Sequence, residues 1–140
     1  MVGAVMLVLL GVIVYFWHSH SATEFSASPI PTDEQKAYFH LLEFTDLHMS
    51  AAENFLGATV TYLDARATNK GGKTVRRLDV DLTFVDTLGQ VILRERAYPV
   101  SLRTPPLKPG ESRAFRVSFE HIPVDWNQAA PAIAPAYVQF

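Results

Sequence analysis

With 140 residues, a formal net charge of −2 and no cysteine, the chain has the length of one domain and a tether. The near-neutral balance, with no basic face, argues against nucleic acid as the main partner. The missing thiol excludes a disulfide framework, thiol catalysis and cysteine-bound zinc or iron–sulfur clusters.

Residues 2–17 are an uncharged apolar run. As a helix, roughly 16 residues reach about 24 Å, which spans a ~30 Å hydrocarbon core only if flanking residues contribute. A cleaved signal peptide would need a charged n-region, and Ser19-His20-Ser21 matches an A-x-A cleavage site poorly. A buried helix of a soluble domain would carry a polar stripe, and there is none. A transmembrane anchor over residues 1–19 accounts for the run, with Tyr15, Phe16 and Trp17 where acyl chains meet headgroups. On that helix Gly3, Leu7, Gly11, Tyr15 and His18 share one face. Its two glycines would let a partner helix approach closely, while Val5, Leu9 and Val12 suit lipid. His18 and His20, two positions apart, point to different faces and do not chelate together. Residues 18–35 contain no Lys or Arg but hold Glu24, Asp33 and Glu34. The bias of cations toward the cytoplasmic flank then puts the body of the protein on the translocated side.

Residues 20–38 read as a linker rich in Ser, Ala and Thr, broken by Pro29 and Pro31. Thr32-Asp33-Glu34-Gln35 has the form of a capping box and starts a short helix reaching Tyr38. Residues 39–140 form the folded domain. Leu41, Phe44, Leu47 and Met49 fit a strand with an irregularity. Residues 51–56 suit either a helical turn or a loop, and residues 59–68 form a β-rich strand. The Asn69-Lys70-Gly71-Gly72 turn leads into the clearest strand, residues 73–85. There Leu78, Val80, Leu82 and Phe84 face one way and Arg77, Asp79, Asp81 and Thr83 the other. A hairpin at residues 86–90 joins it to a strand at 91–98. A proline-rich loop over 101–110 precedes a strand at 111–121 with Phe115, Val117 and Phe119 inward, and residues 132–140 supply the last strand. The expected fold class is mainly β: a single N-terminal transmembrane helix followed by an Ig-like antiparallel β-sandwich.

Three stretches carry a resemblance: Asn69-Lys70-Gly71, the strand end Phe84-Val85-Asp86-Thr87-Leu88-Gly89, and Leu107-Lys108-Pro109-Gly110-Glu111 followed by Phe115. Together they resemble the FxLYD-type domain and related bacterial membrane-anchored sandwich families of unknown function. Val85 stands where the FxLYD pattern has Tyr. The segments around Gly57 and Tyr62, and around Pro123, Trp126 and Asn127, are similar to the anchored relatives. The resemblance implies a sandwich fold and an envelope location and carries no catalytic residues. With the charge bias after Trp17, the expected place is the bacterial inner membrane, single-pass, with the sandwich on the periplasmic side. On the residues themselves, Gly72 and Gly89 are expected at positive φ, and Glu111 is expected to tie down the Pro109-Gly110 turn.

No chemistry-bearing motif stands out. His40, His48 and His121 lack H-x-x-x-H or H-E-x-x-H spacing. Asp79 and Asp81 are expected on a solvated face with cross-strand partners such as Arg94 or Arg96, rather than as a calcium or acid–base pair. There is no G-x-S-x-G elbow and no phosphate-cradling glycine loop. The expectation is therefore no catalytic site, no metal and no cofactor. Trp126 is read either as a partner anchor or as a cap on the open end of the sandwich core. The expected role is a non-catalytic accessory or scaffold subunit, with membrane lipid and other membrane subunits as partners. A multi-subunit energy-transducing complex is one host such a subunit would suit. The alternative is a tethered ligand- or peptide-binding sensory module.

Overall fold

The computed structural model describes residues 28–140. The expected anchor over 1–19, its packing face of Gly3, Leu7, Gly11, Tyr15 and His18, and the first part of the linker lie outside the described residues. Among the described residues, no helix is long and apolar enough to cross a membrane.

The capping box at Thr32 forms as the sequence implies. Thr32 Oγ1 accepts from the Gln35 amide at 3.3 Å, and Gln35 Oε1 accepts from the Thr32 amide at 2.8 Å. These two bonds satisfy otherwise orphaned donors at the start of α1 (Asp33–Tyr38), which continues into one 3-10 turn (Phe39–Leu41). Six strands follow: β1 (Leu42–Glu53), β2 (Thr59–Asn69), β3 (Arg77–Val85), β4 (Val91–Val100), β5 (Ser112–Phe119) and β6 (Ala132–Gln139). They make two three-stranded sheets, β1-β2-β5 and β4-β3-β6, with every pair antiparallel. The described residues are thus mainly β, with two antiparallel sheets and one short α-helix. The strand that alternates most clearly in sequence, β3, is the central strand of its sheet.

Local chemistry explains the connections. In β1 the register shifts between Thr45 and His48, with Asp46 at φ 57°. This bulge breaks the exposed edge of β1, which discourages pairing with another chain. Residues 51–56 are neither helix nor plain loop: Ala51 to Glu53 complete β1, and the Asn54 carboxamide accepts from the amides of Leu56 and Ala58 to close the turn. In the β3–β4 hairpin the Asp86 carboxylate accepts from the amides of Leu88 and Gln90, both at 2.8 Å. Gly89 there takes φ 79°, a conformation that costs glycine little. Glu111 Oε2 accepts from the Lys108 amide at 2.8 Å and holds the Pro109-Gly110 turn as expected.

The third strand starts later than its sequence suggests, at Arg77 rather than residue 73. Residues 70–76 cross from one sheet to the other, and Val75 bridges Leu107 through reciprocal backbone bonds of 2.9 and 2.8 Å. The two inner faces meet in one core. Leu63, Leu78, Val80, Leu82, Phe84 and Val138 are fully buried, and the Phe84 and Phe119 rings meet edge-to-face, centroids 5.0 Å apart. Both phenylalanines stand where the alternation of their strands places them.

The core begins before residue 39. Tyr38, at the end of α1, is buried, and its ring meets Phe140 edge-on at 4.8 Å. Its hydroxyl donates to Asn69 Oδ1 at 2.7 Å and accepts from the Lys73 amide at 3.1 Å. Asn69, also fully buried, donates from Nδ2 to the carbonyls of Lys73 (2.7 Å) and Leu107 (3.1 Å) and accepts from the Gly71 amide at 3.1 Å. Every hydrogen-bonding position of the carboxamide is used. A Cβ on Gly71 would overlap the Tyr38 ring and hydroxyl, so glycine is required there for space. Gly72 differs from expectation. It is not at positive φ, because the Asn69 side chain rather than a left-handed glycine closes the turn.

Three substitutions test this packing. Phe84→Ala should lower stability in chemical denaturation by about 3–5 kcal/mol, the range for emptying a fully buried phenylalanine site. Gly71→Ala should cost about 2–3 kcal/mol by expelling the Tyr38 ring from its hydrogen bonds. Gly72→Ala, which meets nothing within 4 Å, should be close to neutral by the same assay.

Candidate docking groove

Sheet β1-β2-β5 does not end flush. β5 pairs with β2 only as far as the Thr61–Phe119 rung, whereas β1 and β2 continue to the Glu53–Thr59 rung. The end of the β1–β2 hairpin therefore has no third strand beside it. The inner face of this overhang, with Met49, Ala51 and Thr61, looks across at residues 120–128, which connect β5 to β6. Between them lies an open groove of about 590 Å³. That size falls in the ~300–1,000 Å³ range of ordinary ligand sites.

Trp126 forms part of the groove wall. Its ring stands edge-on to Phe84, centroids 6.0 Å apart, and its Nε1 donates to the Ala129 carbonyl at 3.0 Å. Its backbone bridges Asp86, so the β5–β6 connection is pinned to the end of β3. Trp126 thus packs against the core at Phe84 and also lines the groove.

The loops at this end carry apolar side chains in water. Phe55 and Leu56 at the β1–β2 tip, Leu88 at the β3–β4 tip and Val124 beside Trp126 are each more than four-fifths exposed. The same three loops, residues 53–59, 86–91 and 120–128, hold Glu53, Asp86, Glu120 and Asp125 and contain no Lys or Arg. The Asp86 carboxylate is occupied by its own turn. Glu120 and His121 stand on the groove wall.

The remaining polar residues are placed for structure. Asp79, expected on a solvated face, is fully buried. The carboxylate keeps its place in the alternation, on the same face as Arg77 and opposite Tyr137 of β6, and it is buried because these side chains and Ser28 cover it. Arg77 donates to it twice, Nε to Oδ1 at 2.8 Å and Nη2 to Oδ2 at 2.7 Å, and Ser28 Oγ donates to Oδ2 at 2.6 Å. The hydrogen bond to Asp79 holds the Arg77 guanidinium proton more firmly than usual, against the opposing effect of burial. Tyr137 lies under the guanidinium, 5.3 Å from ring centroid to Cζ. Asp81 behaves as expected and takes Arg96 from β4 at 2.7 Å. On the outer face of the other sheet, Arg116 grips Asp64 with two bonds of 2.7 and 2.9 Å. Those bonds hold the Asp64 carboxyl below its ordinary range and raise the Arg116 guanidinium.

His40 lies on the 3-10 turn and His48 on β1, while His121 stands at the groove, so the fold does not gather them. Among the described residues, no group of three His, Cys, Asp or Glu side chains is placed to hold a metal ion. Comparison of the chain with family models, with curated proteins and with solved structures returned no match.

The groove was not visible in the sequence, because it arises from unequal strand lengths. Its one sequence signal is Phe55-Leu56, two large apolar residues at a turn between strands, where solvent-facing polar residues are usual. The buried ion pair gives a clean test of the surrounding electrostatics. Arg77→Ala leaves the Asp79 carboxylate buried without its cation and should cost about 3 kcal/mol or more in denaturation. Arg96→Ala, at the more exposed pair with Asp81, should cost about 1 kcal/mol or less.

Proposed function

We propose that the protein is a non-catalytic accessory subunit of a bacterial envelope assembly, held at the inner membrane by one helix and presenting its two-sheet domain on the periplasmic side. The observation that carries this reading is the uncharged run over residues 2–17, ending in Tyr15, Phe16 and Trp17 and followed by a stretch to residue 35 without Lys or Arg. The turn motifs that resemble those of FxLYD-type and related anchored sandwiches support the same setting. They also support the Ig-like form of the sandwich. Such a chain has two surfaces with which to join a larger complex: the helix face of Gly3, Leu7, Gly11, Tyr15 and His18, and the domain.

A second reading, a tethered peptide-binding module, is favoured by the open apolar groove beside Trp126. The two differ in stoichiometry. A subunit stays with a fixed partner through purification, whereas a sensory module is recovered free when its ligand is absent.

The test is purification of the tagged full chain from native membranes in mild detergent. A stoichiometric membrane partner is expected. Gly11→Leu should fill the helix groove and reduce that partner's recovery, while Val12→Leu on the lipid-facing side should leave it unchanged. Equal recovery with both variants would reduce the helix to a plain tether. Protease access in spheroplasts checks the side: digestion only after lysis would place the domain in the cytoplasm.

A further inference from the structure

The groove at the overhanging end has a chemistry that selects its occupant. Met49, Ala51, Ile122 and Trp126 give it an apolar stretch, Thr59 and Thr61 add hydroxyls beside it, and it is open rather than enclosed. Val124 lies on its wall, and Phe55 and Leu56 stand exposed at the tip of the neighbouring β1–β2 hairpin. An open trough whose apolar stretch is edged by hydroxyls fits an extended chain better than a compact small molecule, which needs burial on most sides. Its surroundings are acidic. Glu120 stands on the wall, Glu53 and Asp125 are exposed in the flanking loops, and these loops contain no Lys or Arg. An acidic or phosphorylated segment would bring like charges together here, and an anionic lipid surface would meet the same repulsion.

We infer that this groove docks a polypeptide segment of another protein that carries an aliphatic or aromatic residue next to Lys or Arg. The apolar side chain enters between Ala51 and Trp126, and the cation lies over Glu120. Burial supplies most of the affinity, and the charge pair sets partner choice and the rate of encounter. This deepens the assembly reading and rests on it only in taking the occupant to be another polypeptide.

The experiment uses the full chain in nanodiscs of phosphatidylcholine, and the probe is a displayed library of random dodecapeptides, counter-selected on empty nanodiscs. The recovered peptides should place Phe, Leu, Ile or Val within two positions of Lys or Arg. Ala51→Trp fills the trough from an exposed position and should weaken binding about tenfold or more. Glu120→Lys reverses the wall charge and should weaken binding about threefold, with the loss shrinking as salt is raised. Leu102→Ser, in the β4–β5 loop at the opposite end, should change nothing. Thermal unfolding of each variant checks that it is folded, and the exposed charge reversal at Glu120 keeps the test sharp if Ala51→Trp is not. Recovery of acidic or purely apolar peptides, enrichment of none, or binding indifferent to both groove variants overturns the inference. Self-association of the chain that Ala51→Trp abolishes also overturns it, by assigning the groove to a second copy. Gly11→Leu leaves the groove intact, so a failed helix contact and a failed groove contact give separate results.

Discussion

The carboxamide of Asn69 is the constraint on which the described structure turns. A primary amide stripped of water and left unbonded costs about 1–3 kcal/mol for each unmet group. Asn69 is fully buried, yet both its donors and both its acceptor positions are filled. Its partners come from three separate stretches: Tyr38 at the end of α1, Gly71 and Lys73 in the crossing between sheets, and Leu107 in the loop from β4 to β5. The backbone of the same residue adds two more ties, donating to the Glu111 carbonyl at 3.0 Å and accepting from the Gly110 amide at 2.7 Å. One side chain thus fixes where the chain leaves the first sheet, where it enters the second and where it returns. Half-satisfied, such a network would be worse than an apolar core; complete, it specifies a single arrangement.

The sequence showed the strands because alternation is a local signal. The buried set Leu78, Val80, Leu82 and Phe84 follows from a period of two, and so do Phe115, Val117 and Phe119. The capping box at Thr32 and the turn at Asp86 were legible for the same reason, since each is settled within a few residues. Two failures share a cause. Asp79 was assigned to the wet face because nothing local shows that Ser28 and Tyr137 would cover that face of β3. Asn69 was recognised as a turn residue, which it is, but nothing local shows that Tyr38 and Leu107 would close over it from 31 and 38 positions away. The groove beside Trp126 was illegible for a second reason. It depends on where β5 stops pairing relative to the β1–β2 hairpin, and strand ends are the part of a pattern that sequence defines least well.

The two ends of the domain therefore differ in kind. At one, Tyr38, Asn69, Gly71 and Lys73 are locked together, Lys73 also pairs with Glu34, and its ammonium lies 4.5 Å from the Phe140 ring centroid. Side chains there have spent their bonding capacity on one another. At the other, the turns are held by their own Asn54 and Asp86, so they keep their shape without recruiting the apolar residues at their tips. Phe55, Leu56, Leu88 and Val124 are left in water. Single exposed apolar residues are ordinary on protein surfaces, but a cluster on neighbouring loops beside a groove is not.

The path of residues 28–41 leaves that second end open. Ser28 is bonded to Asp79 on β3, and α1 packs against β6 with Tyr38 buried beside Phe140. The described chain thus reaches the domain on the β4-β3-β6 sheet and runs to the Asn69 end before entering β1. None of residues 28–41 lines the groove. Had α1 been apolar along its length, the cheapest place to bury it would have been the uncovered inner face at Met49 and Ala51. Instead its sequence, Asp-Glu-Gln-Lys-Ala-Tyr, offers Tyr38 as its one large apolar group, and the space that Gly71 leaves beside Asn69 accepts that ring. The polarity of the helix and the glycine opposite it together decide which end of the sandwich is closed from within.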